Sequence, residues 1–323
     1  MSKIIPADEM MRPEKQWGNR RAMPHSPELL GRMRNLDAHL FRNIRGQDRV
    51  IARVAPALVR GELGLSDPSR PRASFLFVGP TGTGKSELAS VFSGYLFGPD
   101  HLMPFDMSEY QNKESVEKML GADRSDVGLL GKALSAHGRG TLLFDEMEKA
   151  HPEVLDLFLQ ILWHGRITVA TGRTFLLNDY YVVFTSNIGA ADAMRMERSS
   201  AATVEESVQR RVRQRLRPEL VGRIDEIAVF SRLSPDVQRE ICSLLIDREI
   251  TRLRQNGGYQ LEIGEGVMEF LLREGYDPHY GARPMQRAVS RHIQDAVVRA
   301  LFGRGTAHGR IVVDGRKLCI AGE

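Results

Sequence analysis

The feature that most constrains this chain is an octapeptide, Gly79, Pro80, Thr81, Gly82, Thr83, Gly84, Lys85 and Ser86, which fits the pattern G-x-x-x-x-G-K-[ST]. It follows a short apolar run, Ser74–Val78, and opens a stretch of helical character, Gly84–Phe97. A buried strand turning through glycines into a helix N-terminus is the setting this pattern needs. Gly79, Gly82 and Gly84 let the backbone wrap closely without Cβ clashes, so that N–H groups and the helix N-terminus converge on anionic oxygens. In such a loop Lys85 reaches the β- and γ-phosphates of a nucleotide, and the Ser86 hydroxyl ligands Mg²⁺. A glycine-rich turn without a ligand is the plain alternative, but every position and the context on both sides meet the requirements of a phosphate loop.

Around the loop, apolar runs alternate with helical stretches. Leu102–Asp106, Thr141–Phe144, Tyr180–Thr185 and Ile227–Phe230 read as further strands. Asp48–Gly61, Gln111–Leu120, Leu130–Ala136 and Pro152–Trp163 read as helices, the last with Val154, Leu155, Phe158 and Leu162 on one side. This alternation predicts an α/β fold of the P-loop NTPase kind, a parallel sheet sandwiched by helices, over residues 44–231. The strand at Thr141–Phe144 runs into Asp145 and Glu146. Ligands of such sheets bind at the carboxyl ends of strands. There Asp145 would hold the metal, directly or through water, and Glu146 would polarise an attacking water. Acids at a helix start also stabilise the helix dipole, but downstream of a phosphate loop the catalytic reading is favoured.

After Ser231 the pattern changes. A long helix from Ser234-Pro235 to about Gln255 and two more at Val267–Glu274 and Met285–Leu301 are framed by short strands at Leu261–Ile263, Ile311–Val313 and Leu318–Ile320. They predict a small, mostly helical C-terminal domain, residues 232–323. At the other end, Pro6, Pro13, Pro24 and Pro27, interspersed with basic residues, predict an extended arm or adaptor segment within residues 1–43. Residues 1–45 carry nine Lys/Arg against five Asp/Glu, and the remainder balances at 36 of each. A neutral body argues against nucleic acid as the partner. No stretch of 18 apolar residues occurs, the N-terminus has no apolar secretory core, and Cys242 and Cys319 lack metal-like spacing. The expectation is a reduced, cytoplasmic protein without a membrane span.

At this level of detail the chain resembles the second ATPase module of the Clp unfoldase and disaggregase family within AAA+. The resemblance runs from about Ile44 to the C-terminus. It is carried by Ile44-Arg-Gly-Gln-Asp48, Asp67-Pro-Ser-Arg-Pro71, the phosphate loop, Asp106-Met-Ser-Glu-Tyr110 and Phe144-Asp-Glu-Met-Glu-Lys-Ala-His-Pro152. Thr185-Ser-Asn187, Arg217-Pro-Glu-Leu220, Arg223-Ile-Asp-Glu226 and Gly275-Tyr-Asp-Pro-His-Tyr-Gly-Ala-Arg-Pro284 continue it in order. The resemblance implies ATP and Mg²⁺ as cofactors and a homo-oligomer, a hexameric ring with ATP between subunits. It implies that Asn187 helps Glu146 orient the water, that Arg223 is an arginine finger offered to a neighbour's ATP, that Arg283 reaches the γ-phosphate from the small domain, and that Ile44 contacts adenine. On residues alone, Asn187 could instead cap a strand end, and Arg223 could be a surface arginine paired with Asp225 or Glu226.

The departures from the family are local. Family unfoldases grip a threaded polypeptide with a glycine-tyrosine-valine-glycine loop; the matching stretch here is Ser125-Asp-Val-Gly128, with Asp126 in place of the tyrosine. The following segment, Leu129–Lys132, is shorter than usual, and no aromatic lies between Tyr110 and Phe144. Asp supplies neither the area nor the flat face of an aromatic, so carboxylates are expected at the pore. No peptidase-docking loop is recognisable; Leu63-Gly-Leu65 is a superficial match in the wrong region. The first ATPase module and large N-terminal domain of double-ring members have no counterpart, which suggests a single ring. The leading expectation is therefore an ATP-driven remodeller of a protein or protein assembly, with residues 1–43 as a candidate adaptor contact. A switch or matchmaker that binds a partner in one nucleotide state without threading is the rival, and a nucleic-acid translocase or loader is disfavoured by the balanced charge.

Overall fold

The computed structural model describes residues 25–196, 199–275, 277 and 281–321. The chain divides into two compact units, with the boundary between Asn35 and Leu36. In the first, α1 (Pro27–Arg34) starts with Pro27 in its first turn and Ser26 as its cap, whose Oγ accepts from the Leu29 N–H at 3.1 Å. Residues 27–34 are thus helical where an extended arm was expected; residues 1–24, with Trp17 and three of the four prolines, lie outside the described residues.

The second unit begins with α2 (Leu36–Asn43), which packs against α3 (Asp48–Glu62) and α4 (Lys85–Phe97). Leu36 and Leu40 are fully buried and Ile44 nearly so. This i, i+4, i+8 stripe starts the body some eight residues before the sequence-based boundary at Ile44. Five parallel strands follow: β1 (Ala73–Val78), β2 (Leu102–Asp106), β3 (Gly140–Asp145), β6 (Tyr180–Ser186) and β7 (Glu226–Val229), in the order β2-β3-β6-β1-β7. Every residue of β1 and of β6 is buried, as a parallel strand with helices on both faces requires. Pro104 sits in β2, an edge strand, where a missing N–H is tolerated. Connections run through α5 (Ser115–Leu120), α6 (Gly128–Ala136), α7 (Pro152–His164) and an antiparallel hairpin of β4 (Arg166–Thr168) and β5 (Thr174–Leu176). Then come α8 (Ala190–Arg195), α9 (Ala201–Arg215) and α10 (Pro218–Val221). Phe144, Phe158 and Phe184 pack ring to ring beneath the sheet's centre.

Beyond β7, Ser234 caps α11 (Pro235–Gly257) by accepting from the Val237 N–H. A three-stranded sheet of β8 (Leu261–Ile263), β9 (Gly309–Asp314) and β10 (Lys317–Ala321) packs with α11, α12 (Val267–Gly275) and α13 (Ala282–Arg304) around a separate core that includes Cys242, Phe270, Val289 and Ile293. No helix among the described residues is long and apolar enough to cross a membrane.

Candidate functional site

The site grows out of β1. Its last residue, Val78, leads into Gly79 at φ 140°, Gly82 at φ 72° and Gly84 at φ 102°, three turns of positive φ that side-chain-bearing residues rarely take. A Cβ on Gly79 would also lie 2.6 Å from the Phe230 carbonyl oxygen. The loop therefore curls tightly and delivers α4 with its N-terminus facing the sheet's carboxyl end. Lys85, at the head of α4, is only 8% exposed. Its Nζ donates to the carbonyl oxygens of Gly79 (2.7 Å) and Pro80 (2.8 Å) and to Asn187 Oδ1 (3.0 Å). Burial lowers its pKa to about 8, against the opposing pull of Asp145 and Glu148.

The acids come from the end of β3. The Asp145 carboxylate accepts from Ser86 Oγ (3.2 and 3.3 Å to its two oxygens) and from the Thr185 hydroxyl. Glu146 adopts φ 56° and ψ 49°, left-handed for a residue with a side chain. Among the described residues it is the only such non-glycine, and its N–H is held by Thr185 Oγ1 at 3.0 Å. Strain of this kind concentrates where geometry matters to chemistry. Asn187, just past β6, joins the two halves. Its Nδ2 donates to Glu146 Oε1 at 3.2 Å, while its Oδ1 accepts from Lys85. Its own N–H donates to Glu148 Oε1 at 3.0 Å, so the loop after β6 is pinned as well.

These groups line one cavity of about 250 Å³, shared between the sheet and the C-terminal helices. Ile44, Thr81, Gly82, Thr83, Gly84, Lys85, Ser86, Asp145, Glu146, Asn187 and Arg283 all face it, and Gly79 and Pro80 stand behind the loop. Arg283 arrives on the first turn of α13, where the Ala282 N–H donates to the Gly82 carbonyl at 2.9 Å. Arg223 does not line the cavity. Its guanidinium lies over the Trp163 ring, 3.6 Å from the centroid. The acids expected to pair with it are engaged elsewhere: Asp225 by Ser74 and Arg70, Glu226 by Arg53.

Several residues of the site carried no assigned role in the sequence. Thr185 and Glu148 hold Glu146 and Asn187 in place. Leu233, just before α11, and Ile241, Leu244 and Leu245 on it add apolar surface to the cavity that Ile44 also lines, suited to a flat base; the signal of the last three, an apolar face of α11, is shared with any core helix. Gln47, 2% exposed, donates to the carbonyls of Thr83 (3.2 Å) and Ser231 (2.9 Å) and accepts from the Ser231 N–H. It ties the phosphate loop to the segment that leads into α11. Arg248 of α11 reaches back to Glu87 (2.7 Å) and Asn43 (3.2 Å). Within Gly275–Pro284, Tyr276, Pro278, His279 and Tyr280 lie outside the described residues.

The turn at Ala122–Lys132 is held by local contacts. Asp126 accepts from the Gly128 N–H at 3.0 Å and lies 3.6 Å from Lys132 Nζ. Those contacts hold its carboxyl below the usual carboxylate range. A Cβ on Gly121 would fall 1.9 Å from the Asp126 carbonyl oxygen, so the turn is closed tightly on itself. Asp126 thus stands just ahead of the Val127 N-cap of α6, its carboxylate bonded to the Gly128 N–H with a lysine beside it, and its side chain is 40% exposed. Leu130 is buried in the core, while Leu129 is 41% exposed.

Comparison with known proteins agrees with this architecture. Residues 70–227 match the AAA domain (Cdc48 subfamily), and residues 233–313 match the C-terminal, D2-small domain of ClpB protein. The chain is 38% identical to heat shock protein 100 of Trypanosoma brucei brucei over 281 residues, covering 84% of this chain and 32% of that protein. It is 37% identical to chaperone protein ClpB 1 of Thermosynechococcus vestitus over 276 residues, covering 83% and 32%. The chain thus spans about a third of the length of these curated relatives. Among solved structures, a closed-state reconstruction of Hsp104 with ATPγS and FITC casein superposes with a TM-score of 0.81 at 31% identity, over 92% of this chain and 53% of that one.

Proposed function

The chain belongs to the AAA+ ATPases, homologous over most of its length to the second module of ClpB and Hsp100 chaperones, and from that premise we propose that it is an ATP-hydrolysing motor that remodels a protein or protein assembly. The observation that carries the reading is the Asn187 bridge, which links Lys85 of the phosphate loop to Glu146 at the end of β3. It places a candidate phosphate-binding cation and a carboxylate in left-handed backbone on either side of one amide, the proximity that hydrolysis of a nucleotide γ-phosphate uses.

In this reading Lys85 leaves the loop carbonyls and binds the β- and γ-phosphates, which supply the charge its burial withholds. The loop N–H groups cradle the same oxygens. The Ser86 hydroxyl and Asp145 carboxylate, already 3.2 Å apart, are hard oxygen donors that fit Mg²⁺. When bound, the ion neutralises charge on the phosphates. Glu146 accepts a proton from the attacking water, and Asn187 fixes its orientation. Arg283, on a helix docked to the loop, senses the γ-phosphate. Ile44, Leu233, Ile241, Leu244 and Leu245, which line the same cavity, hold the base. The position of Arg223 outside its own cavity supports a role in trans, on ATP bound to a neighbouring subunit of a hexameric ring.

Two features favour keeping the switch or matchmaker as a second reading. The 122–132 turn offers no aromatic, and Asp126 is folded back onto the Gly128 N–H. A protein partner is expected in both cases, with the basic residues of 1–43 as its candidate contact. The test of the shared core is steady-state hydrolysis. Activity should require Mg²⁺, and Glu146→Gln should bind ATP while turning over ~10²–10⁴-fold more slowly. Equal turnover in that variant and wild type would remove the role given to Glu146. The same variant, loaded with ATP, is the bait for recovering the partner.

A further inference from the structure

The contact between Arg223 and Trp163 is not explained by the cavity. Trp163 is the penultimate residue of α7. Phe158, Ile161 and Leu162 turn inward from that helix, which leaves Trp163 at the surface, 52% exposed. An exposed indole presents a flat, electron-rich face on which a cation can lie. Here the face carries the Arg223 guanidinium, 3.6 Å from the ring centroid, well within the range of a cation–π contact.

The backbone is built to keep the two side chains together. Arg70 donates from Nε to the carbonyl of Leu162 (3.3 Å) and from Nη2 to the carbonyl of Arg223 itself (2.5 Å). One guanidinium therefore ties the residue before Trp163 to the backbone of its stacking partner. A second tie, Arg217 to Asp156 at 2.6 Å, joins the start of α10 to the middle of α7. With Asp225 and Glu226 engaged by Arg70, Ser74 and Arg53, neither acid draws the Arg223 side chain off the ring.

We propose that Trp163 is a positioning residue for Arg223: its ring face holds the guanidinium, ordered and partly desolvated, for delivery to a nucleotide bound by a second copy of this chain. The inference rests on the trans role given to Arg223 above. A free arginine samples many rotamers, and that freedom is lost when it clamps a phosphate. An aromatic face that orders it beforehand lowers the cost of reaching the transition state without touching substrate. The stack is weaker than a charge-assisted bond to phosphate, so the guanidinium transfers once a neighbour's nucleotide is in reach.

The test compares Trp163→Leu, Trp163→Phe and Arg223→Ala in the full chain. Trp163→Leu should lower kcat ~3- to 10-fold, with nucleotide affinity and ring size unchanged, because it removes the aromatic face and keeps an apolar side chain at an exposed position. Trp163→Phe should restore most of the loss. With Trp17 changed to Phe, Trp163 is the sole tryptophan, and Arg223→Ala should shift its emission. If Trp163→Leu matches wild type while Arg223→Ala is impaired, the positioning role is wrong and the finger stands. If Arg223→Ala hydrolyses at the wild-type rate, the finger fails and this inference with it. Loss of assembly in Trp163→Leu would make Trp163 an interface residue and would also overturn the proposal.

Discussion

Gly281 is the point where the C-terminal domain meets the phosphate loop, and Gly281→Ala isolates that contact. Its backbone lies at φ 60° and ψ −132°, a region that alanine avoids. An added Cβ would stand 2.5 Å from the Gly82 carbonyl oxygen, 2.7 Å from its carbon and 2.8 Å from the Thr81 oxygen. All three are backbone atoms of the loop, so no side chain can swing aside. The adjacent Ala282 N–H donates to the same Gly82 oxygen. Keeping the docked geometry would cost about 1–3 kcal/mol in backbone strain alone. Relieving it means drawing the start of α13, with Arg283, away from the loop. At ~1.4 kcal/mol per factor of ten, the docked population should fall on the order of 10- to 100-fold. The buried residues Met285, Val289 and Ile293 hold α13 in its own domain core, so the fold should survive. The assay is kcat/KM for ATP beside thermal unfolding. A fall of ~10- to 100-fold in kcat/KM with a cooperative unfolding transition retained is expected. Wild-type kcat/KM would show that docking of α13 does not contribute to the reaction.

Two further outcomes follow from the same site. Burial lowers Lys85 to about 8, so its amine loses the proton as pH rises through that value. Because phosphate favours the charged form, ATP affinity should be level below about pH 7.5, fall above about pH 8, and be accompanied there by proton uptake in calorimetry with buffers of different ionisation enthalpy; a flat affinity profile to about pH 9.5 without proton uptake would contradict it. The closed 122–132 turn should leave the chain unable to unfold a tagged fluorescent barrel protein, whose stability of ~5–15 kcal/mol must be overcome, while Asp126→Tyr should gain measurable unfolding; robust unfolding by the wild type would mean that another surface grips the substrate.

Much of the cleft was legible because its chemistry is local in sequence. The phosphate loop is one continuous stretch whose glycines answer to φ angles of 140°, 72° and 102°. Asp145 and Glu146 stand together at a strand end. Buried parallel strands read clearly as unbroken apolar runs, and β2 and β8 have the expected bounds, Leu102–Asp106 and Leu261–Ile263. What escaped was set by tertiary contact. The hairpin of β4 and β5 buries only one residue in each strand, Ile167 and Phe175, too few to leave a period. In α9 only Val208 and Val212 are buried over 15 residues. The helix α2 was read as part of an arm because two buried leucines at i and i+4 carry little signal over eight residues. The base-side wall, Gln47 and the folding back of Asp126 depend on segments far apart in sequence or on backbone geometry, which no spacing rule reports.

In the proposed ring, one ATPase site is completed by two copies of the chain, with Glu146 supplied by one and Arg223 by the next. Mixing Glu146→Gln with Arg223→Ala separates this arrangement from a site built by one chain. Each variant alone should hydrolyse ATP very slowly. In mixed rings, an Arg223→Ala subunit keeps its own Glu146 and borrows Arg223 from a Glu146→Gln neighbour, so hydrolysis should return on mixing, rise to a maximum near equal proportions, and disappear when the two are kept apart. If the mixture stays as inactive as its components while mixed rings demonstrably form, Arg223 does not act on a neighbour's nucleotide.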